Sequence, residues 1–112
     1  MRLFEFEMLE EGISQVLNVK KMCVLINDHL GEQAAARNIP MDVVYQIIKK
    51  IPNLRNKLKP FPENTKITIW SKSLNAGVGI RTRLEKDGYQ RIEVMTAINQ
   101  LYDSDVTTFQ VG

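Results

Sequence analysis

The chain has 112 residues, of which 44% are apolar and 25% charged, and its formal net charge is +2. That is one domain's worth of an ordinary globular composition, long enough to bury a core without the help of a metal or a disulfide. The single cysteine, Cys23, excludes an internal disulfide and any metal site built on cysteine pairs. Within the run Met22-Cys23-Val24-Leu25-Ile26 it reads as a small buried apolar residue rather than a reactive thiol. No apolar run approaches membrane-spanning length, and Arg2-Leu3-Phe4-Glu5-Phe6-Glu7 is too acidic and interrupted for a signal peptide. The expectation is a cytoplasmic protein with no membrane contact.

In chain order, Phe6, Leu9, Ile13, Val16 and Leu17 recur at helical spacing and predict an amphipathic helix over about residues 5–18. The apolar run 22–26 fits a short buried strand or a second buried helix equally well, because periodicity does not separate the two. Asp28 is a good N-cap for a helix from His29 to Ala36 or Arg37, and the Ala34-Ala35-Ala36 run favours that helix. Asn38 suits a left-handed helix end, and Pro40 restarts the chain at a first helical position. Val43, Val44, Ile47, Ile48 and Ile51 form a clean apolar stripe, the best-determined element of the chain, which Pro52 ends. Residues 52–64 hold three prolines and read as a loop. From Lys49 to Asn64 the cations Lys49, Lys50, Arg55, Lys57 and Lys59 face a single acid, Glu63, a local basic excess that the net charge hides.

The remainder reads as β-structure. Residues 65–72 alternate, with Ile67 and Ile69 on one side and Thr68 and Trp70 on the other. Val78, Ile80, Thr82 and Leu84 alternate with Gly79, Arg81, Arg83 and Glu85, and Ile92, Val94, Thr96 and Ile98 alternate with Arg91, Glu93, Met95 and Ala97. Lys86-Asp87-Gly88 turns the chain. One buried face then favours an odd-numbered loop with Gly88 left-handed, Leu84 opposite Ile92, Ile80 opposite Thr96 and Arg83 facing Glu93. In that register Arg81, Arg83 and Arg91 share the solvent side. Helices followed by strands predict an α+β fold, with N-terminal helices packed on a small antiparallel β-sheet. The single domain divides into a helical part to about residue 51, the basic loop 52–64, the sheet over about 65–98 and a tail, 99–112, that either adds an edge strand or stays frayed.

The cadence His29-Leu30, Ala34, Arg37, Ile39, Val44 and Lys50-Ile51, with the later strand Arg91-Ile92-Glu93-Val94-Met95-Thr96, resembles the RegB-type phage endoribonucleases of the RelE/ParE-like toxin superfamily. The resemblance covers roughly residues 22–98. It implies a RelE-like version of the fold and a phage-type, mRNA-cleaving hydrolase. His29 falls on the family's catalytic histidine and Arg37 on its second arginine. Gln33 stands where the first arginine is expected, and Lys49 where the RegB type carries a second histidine.

Cleavage by 2′-hydroxyl attack needs a base, an acid and a cation for the phosphorane. His29 and Lys49 are the candidates for proton transfer, and Arg81 and Arg83 for charge stabilisation. Lys50, Arg55, Lys57, Lys59 and Arg91 are candidate phosphate contacts, with Trp70 as a base platform. Each has a plain structural reading as well: a helix-start histidine, a solvated sheet face, an Arg83–Glu93 cross-strand pair, a solvated loop, a packed indole. No cofactor and no metal site are expected. The leading expectation is an RNA-binding protein acting as an mRNA endoribonuclease. The alternatives are a catalytically inactive module that grips RNA, a host protein or an antidote protein, and an assembly protein using its edge strand and tail. Oligomeric state stays open.

Overall fold

The computed structural model describes residues 12–101 and 106–112. Within these residues two strands come first, β1 (Ile13–Val19) and β2 (Met22–Asn27). Two short helices follow, α1 (Leu30–Ala36) and α2 (Met41–Ile48), then a 3-10 turn (Ile51–Leu54) and the single-turn helix α3 (Arg55–Leu58). Four strands complete the chain: β3 (Lys66–Ser71), β4 (Ala76–Lys86), β5 (Tyr89–Ile98) and β6 (Thr107–Val111). The six strands of the described residues lie in one sheet of order β1-β2-β5-β4-β3-β6. The pairings β2–β5 and β3–β6 are parallel and the other three antiparallel.

This corrects the expected architecture. The fold is a six-stranded mixed sheet carrying short helices, not N-terminal helices on a small antiparallel sheet. The reason lies at residues 13–27. Ile13, Val16 and Leu17 satisfy a helical spacing, but the segment pairs with β2 from Ile13↔Asn27 to Val19↔Met22. A bulge between Ile13 and Gln15 disturbs the strict alternation that would have announced a strand. The first half of the expected helix, residues 5–11, lies outside the described residues. The loop expected over 52–64 is also more ordered than its prolines suggest, since it contains the 3-10 turn and α3.

The helices cover one face of the sheet, α1 over β5 and α2 over β3 and β4. The stripe Val44, Ile47, Ile48 and Ile51 is fully buried there, against Ile67, Ile69, Val78, Ile80, Ile92 and Val94. Each such side chain contributes on the order of 1.5–3 kcal/mol through burial, which is why the short α2 holds its place. Asn38 ends α1 with φ 57°, in the left-handed region expected of it, and the Ile39 N–H returns to the Ala34 carbonyl. Among the described residues no helix is long and apolar enough to cross a membrane.

The β4–β5 hairpin keeps the expected face but shifts the register by two residues. Thr82 lies opposite Ile92, Ile80 opposite Val94 and Arg81 opposite Glu93. Lys86 pairs with Tyr89 around a two-residue turn in which Asp87 (φ 55°) and Gly88 (φ 79°) are both left-handed. A bulge between Arg83 and Lys86 restores the parity that such a turn alone would break. A second irregularity, at Gly79/Ile80, changes the phase further along β5, so that Ala97 is buried rather than Ile98.

Candidate nucleic-acid interface

Alternation along β4 and β5 sends Ile80, Thr82, Ile92 and Val94 to the helix side and Arg81, Arg83, Arg91 and Glu93 to the opposite face. Glu93 organises that face, although its side chain is only 3% exposed. Its Oε1 accepts from Arg81 Nε (3.1 Å), Arg81 Nη2 (2.9 Å) and Arg83 Nη1 (2.7 Å). Its Oε2 accepts from Asn27 Nδ2 at 2.8 Å. Burial pushes the Glu93 carboxyl up; the hydrogen bonds from Asn27 and Arg81, the Arg81 charge and the Arg83 hydrogen bond outweigh it and hold the group below its ordinary range. Arg81 and Arg83 therefore close on a buried carboxylate, and Arg83 reaches it diagonally from the position opposite Arg91.

His29 caps α1, with its side chain 70% exposed. Its Nδ1 lies 3.4 Å from Glu32 Oε2, the one side-chain partner of the ring among the described residues. The His29 backbone N–H donates to Asn27 Oδ1 at 2.9 Å, so the main chain, not the imidazole, is tied through Asn27 to Glu93. Gln33 and Arg37, one and two turns on, bond each other and lie near Thr96 of β5. Lys49 caps the C-terminal end of α2 and is exposed, while Lys50 Nζ donates to the Gly112 carbonyl at the end of the chain. No described contact joins His29 to Lys49 or to Arg81, Arg83 or Arg91. Trp70, 6% exposed, is buried on β3, where a Cβ added to Gly77 would come within 2.8 Å of the indole. Its faces are not offered to a base.

The remaining sequence candidates gather at the other end of the sheet. Arg55 Nη1 donates to the Lys20 carbonyl at 3.0 Å, and Lys20 Nζ donates to Asn53 Oδ1 at 2.9 Å. The Gln90 N–H donates to the Lys21 carbonyl at 3.0 Å. In its satisfied orientation the Gln90 amide donates to the Arg55 carbonyl (3.2 Å) and accepts from the Lys59 N–H (3.3 Å). These bonds clamp the β1–β2 turn, α3 and the start of β5 together. Lys20, Lys21, Arg55, Lys57 and Lys59 thereby share one end of the molecule, and all but Arg55 are exposed. Lys20 and Lys21 are the residues that sequence reading missed. Both are left-handed (φ 53° and 59°) in a turn that glycine or asparagine would have signalled.

A cleft of about 250 Å³ opens beside this end, bordered by Leu58 of α3 and its C-cap Lys59, by the proline-rich segment at Phe61–Glu63 and by the β4–β5 hairpin. Thr82 fixes the segment to the sheet. Its Oγ1 accepts from the Thr65 N–H at 2.9 Å and donates to the Pro62 carbonyl, and its own carbonyl accepts from the Asn64 N–H at 2.8 Å.

Comparison with protein-family models, curated proteins and solved structures gave no match.

Proposed function

We propose that the protein binds RNA through its lysine-rich end and does not itself cleave the strand. The observation that carries this reading is the clamp between the Lys20-Lys21 turn and residues 53–59, which concentrates five cations at one end of a chain whose net charge is only +2. Ordered cations on a rigid frame neutralise phosphates and release condensed counterions, the sequence-independent part of nucleic-acid affinity. The resemblance of the His29–Ile51 stretch to RegB-type endoribonucleases supports RNA as the partner. Against cleavage stand Gln33 and Lys49 in place of the expected basic and imidazole groups, the exposure of His29 beside Glu32, and the engagement of Arg81 and Arg83 by Glu93.

Fluorescence anisotropy of a labelled RNA oligonucleotide across a salt series tests both halves. Binding is expected to weaken steeply with salt. Replacing Lys20, Lys21, Lys57 and Lys59 by glutamine should reduce the log–log slope by about 0.7 for each phosphate of a single strand that is no longer neutralised. His29→Ala should leave binding unchanged and the oligonucleotide intact. Salt-independent binding, or full binding by the quadruple variant, would overturn the interface. RNA breakdown that disappears in His29→Ala would overturn the non-cleaving reading.

A further inference from the structure

Among the described residues the sheet has two edge strands, β1 and β6, and they are finished differently. β1 carries the bulge at Ile13/Gln15 and runs into the Lys20-Lys21 turn; a bulge and flanking lysines both keep an edge from pairing with another chain. β6 has neither. Thr107-Thr108-Phe109-Gln110-Val111 holds no charge, proline or glycine, and it follows β3 without irregularity from Ile67↔Thr107 to Ser71↔Val111. Its middle and its far end are fixed. Phe109 packs edge-on against Phe61 with ring centroids 6.1 Å apart, and the Gly112 carbonyl accepts from Lys50 Nζ and, at 3.4 Å, from Ser71 Oγ. A straight, neutral edge of this kind offers main-chain N–H and C=O groups in the plane of the sheet, with no described strand beyond it.

We propose that β6 pairs antiparallel with β6 of a second copy of this chain, across a two-fold axis at Phe109, and joins two sheets into one. The inference does not depend on RNA binding. Centring on Phe109 is the register that pairs the whole strand: Phe109 lies against its own copy, Thr107 against Val111 and Thr108 against Gln110. The strand is thus self-complementary, meeting polar with polar at 108 and 110 and ring with ring at 109. Phe109 and Val111 are half-buried against the core, so the join extends that core and brings together the two Phe61–Phe109 pairs. Charge selects the occupant. An uncharged strand neither repels its own copy nor attracts an acidic or basic peptide. A contact one strand wide falls below the roughly 1,200–2,000 Å² of stable interfaces, so the dimer is a weak, exchanging one, with a Kd on the order of 10–100 μM.

Sedimentation equilibrium from about 1 μM to about 1 mM protein tests the pairing. The average mass is expected to rise from that of one chain towards that of two and no further. Thr108→Lys with Gln110→Lys, both at exposed positions, sets lysine opposite lysine twice across the axis and should weaken association about tenfold. Thr108→Lys with Gln110→Glu sets lysine opposite glutamate twice in the same register; it should associate at least as tightly as the wild type and, unlike the wild type, lose affinity as salt is raised. Asn18→Lys, exposed on β1, should change nothing. A monomer throughout the range would overturn the proposal, as would association that the lysine pair leaves untouched. Equal weakening by the lysine–lysine and lysine–glutamate variants would overturn the antiparallel two-fold register. Loss of association in Asn18→Lys would move the interface to β1 and overturn it as well. Thermal midpoints at the dilute end, where each variant is a monomer, should agree with the wild type. Should the lysine pair melt lower, the lysine–glutamate variant decides, and salt-independent association by it would overturn the pairing.

Discussion

Arg81 and Arg83 on the sheet and Lys57 and Lys59 at α3 and its C-cap all carry positive charge, yet the first two turn onto a buried carboxylate while the second two stand in solvent. The arginines are held by Glu93, itself fixed by Asn27. Lys59 is held through its backbone N–H, by the Arg55 carbonyl and the Gln90 amide. One group is paired inside the fold and works for stability. The other keeps its charge available to a partner. Sequence shows two clusters of like charge; burial and partners divide their work.

The largest test of that division is Glu93→Gln. It removes the one charge shared by two guanidiniums, 37% and 18% exposed, and should cost about 2–3 kcal/mol, read as a lower urea midpoint at unchanged m-value. A loss below about 0.5 kcal/mol would mean that the arginines are as free as the lysines. The same group sets an acid limb. Because Glu93 is held below its ordinary value of 4.5, its contribution is fully present above that pH and is lost as the pH falls through the lower folded value. Stability of the wild type should therefore drop below about pH 4.5 more steeply than that of Glu93→Gln, which has no such proton to take up.

Gly88→Ala sharpens the other side of the comparison. It strains the left-handed turn at φ 79° at the tip of the β4–β5 hairpin and should cost about 1 kcal/mol by thermal melting, with little loss of RNA affinity. Lys57→Gln with Lys59→Gln should change stability by under about 0.5 kcal/mol while reducing the salt dependence of binding. Smallest of all is His29→Ala: an exposed ring beside Glu32 should be silent in both stability and binding, by denaturation and anisotropy.

Much of the chain was legible where a local period and a terminator agree. The α1 segment was legible from its alanine run and its Asn38 end, α2 from a 3.6-residue stripe, although the helix stops at Ile48 and not at Pro52, and β3, β4 and β5 from alternation. The hairpin parity was legible because only one face can be buried, but its register was not. Bulges at Arg83/Lys86 and Gly79/Ile80 absorb single residues without a sequence signature. The β1–β2 hairpin escaped for a related reason. Two lysines make its turn, and its apolar positions also satisfy a helix. At the interface, Arg55, Lys57 and Lys59 were legible as a charge run. Lys20 and Lys21 were not, because only the parallel alignment of β2 with β5 brings their turn to the start of β5.

That parallel alignment also governs assembly. The two middle positions of the sheet belong to β5 and β4, which follow the helices in the chain, whereas β1 and β2 precede the helices and lie at one edge. The sheet cannot zip up from the N-terminus: β5 must close β2 on one side and β4 on the other, across all the intervening helices. Closure of such distant loops precedes the contacts that reward it, so folding is expected to be slow for a chain of this size and nearly all-or-none. Until β5 arrives, the inner edge of β2 stays open to pairing with another chain, and a nascent chain has to survive that interval on a ribosome.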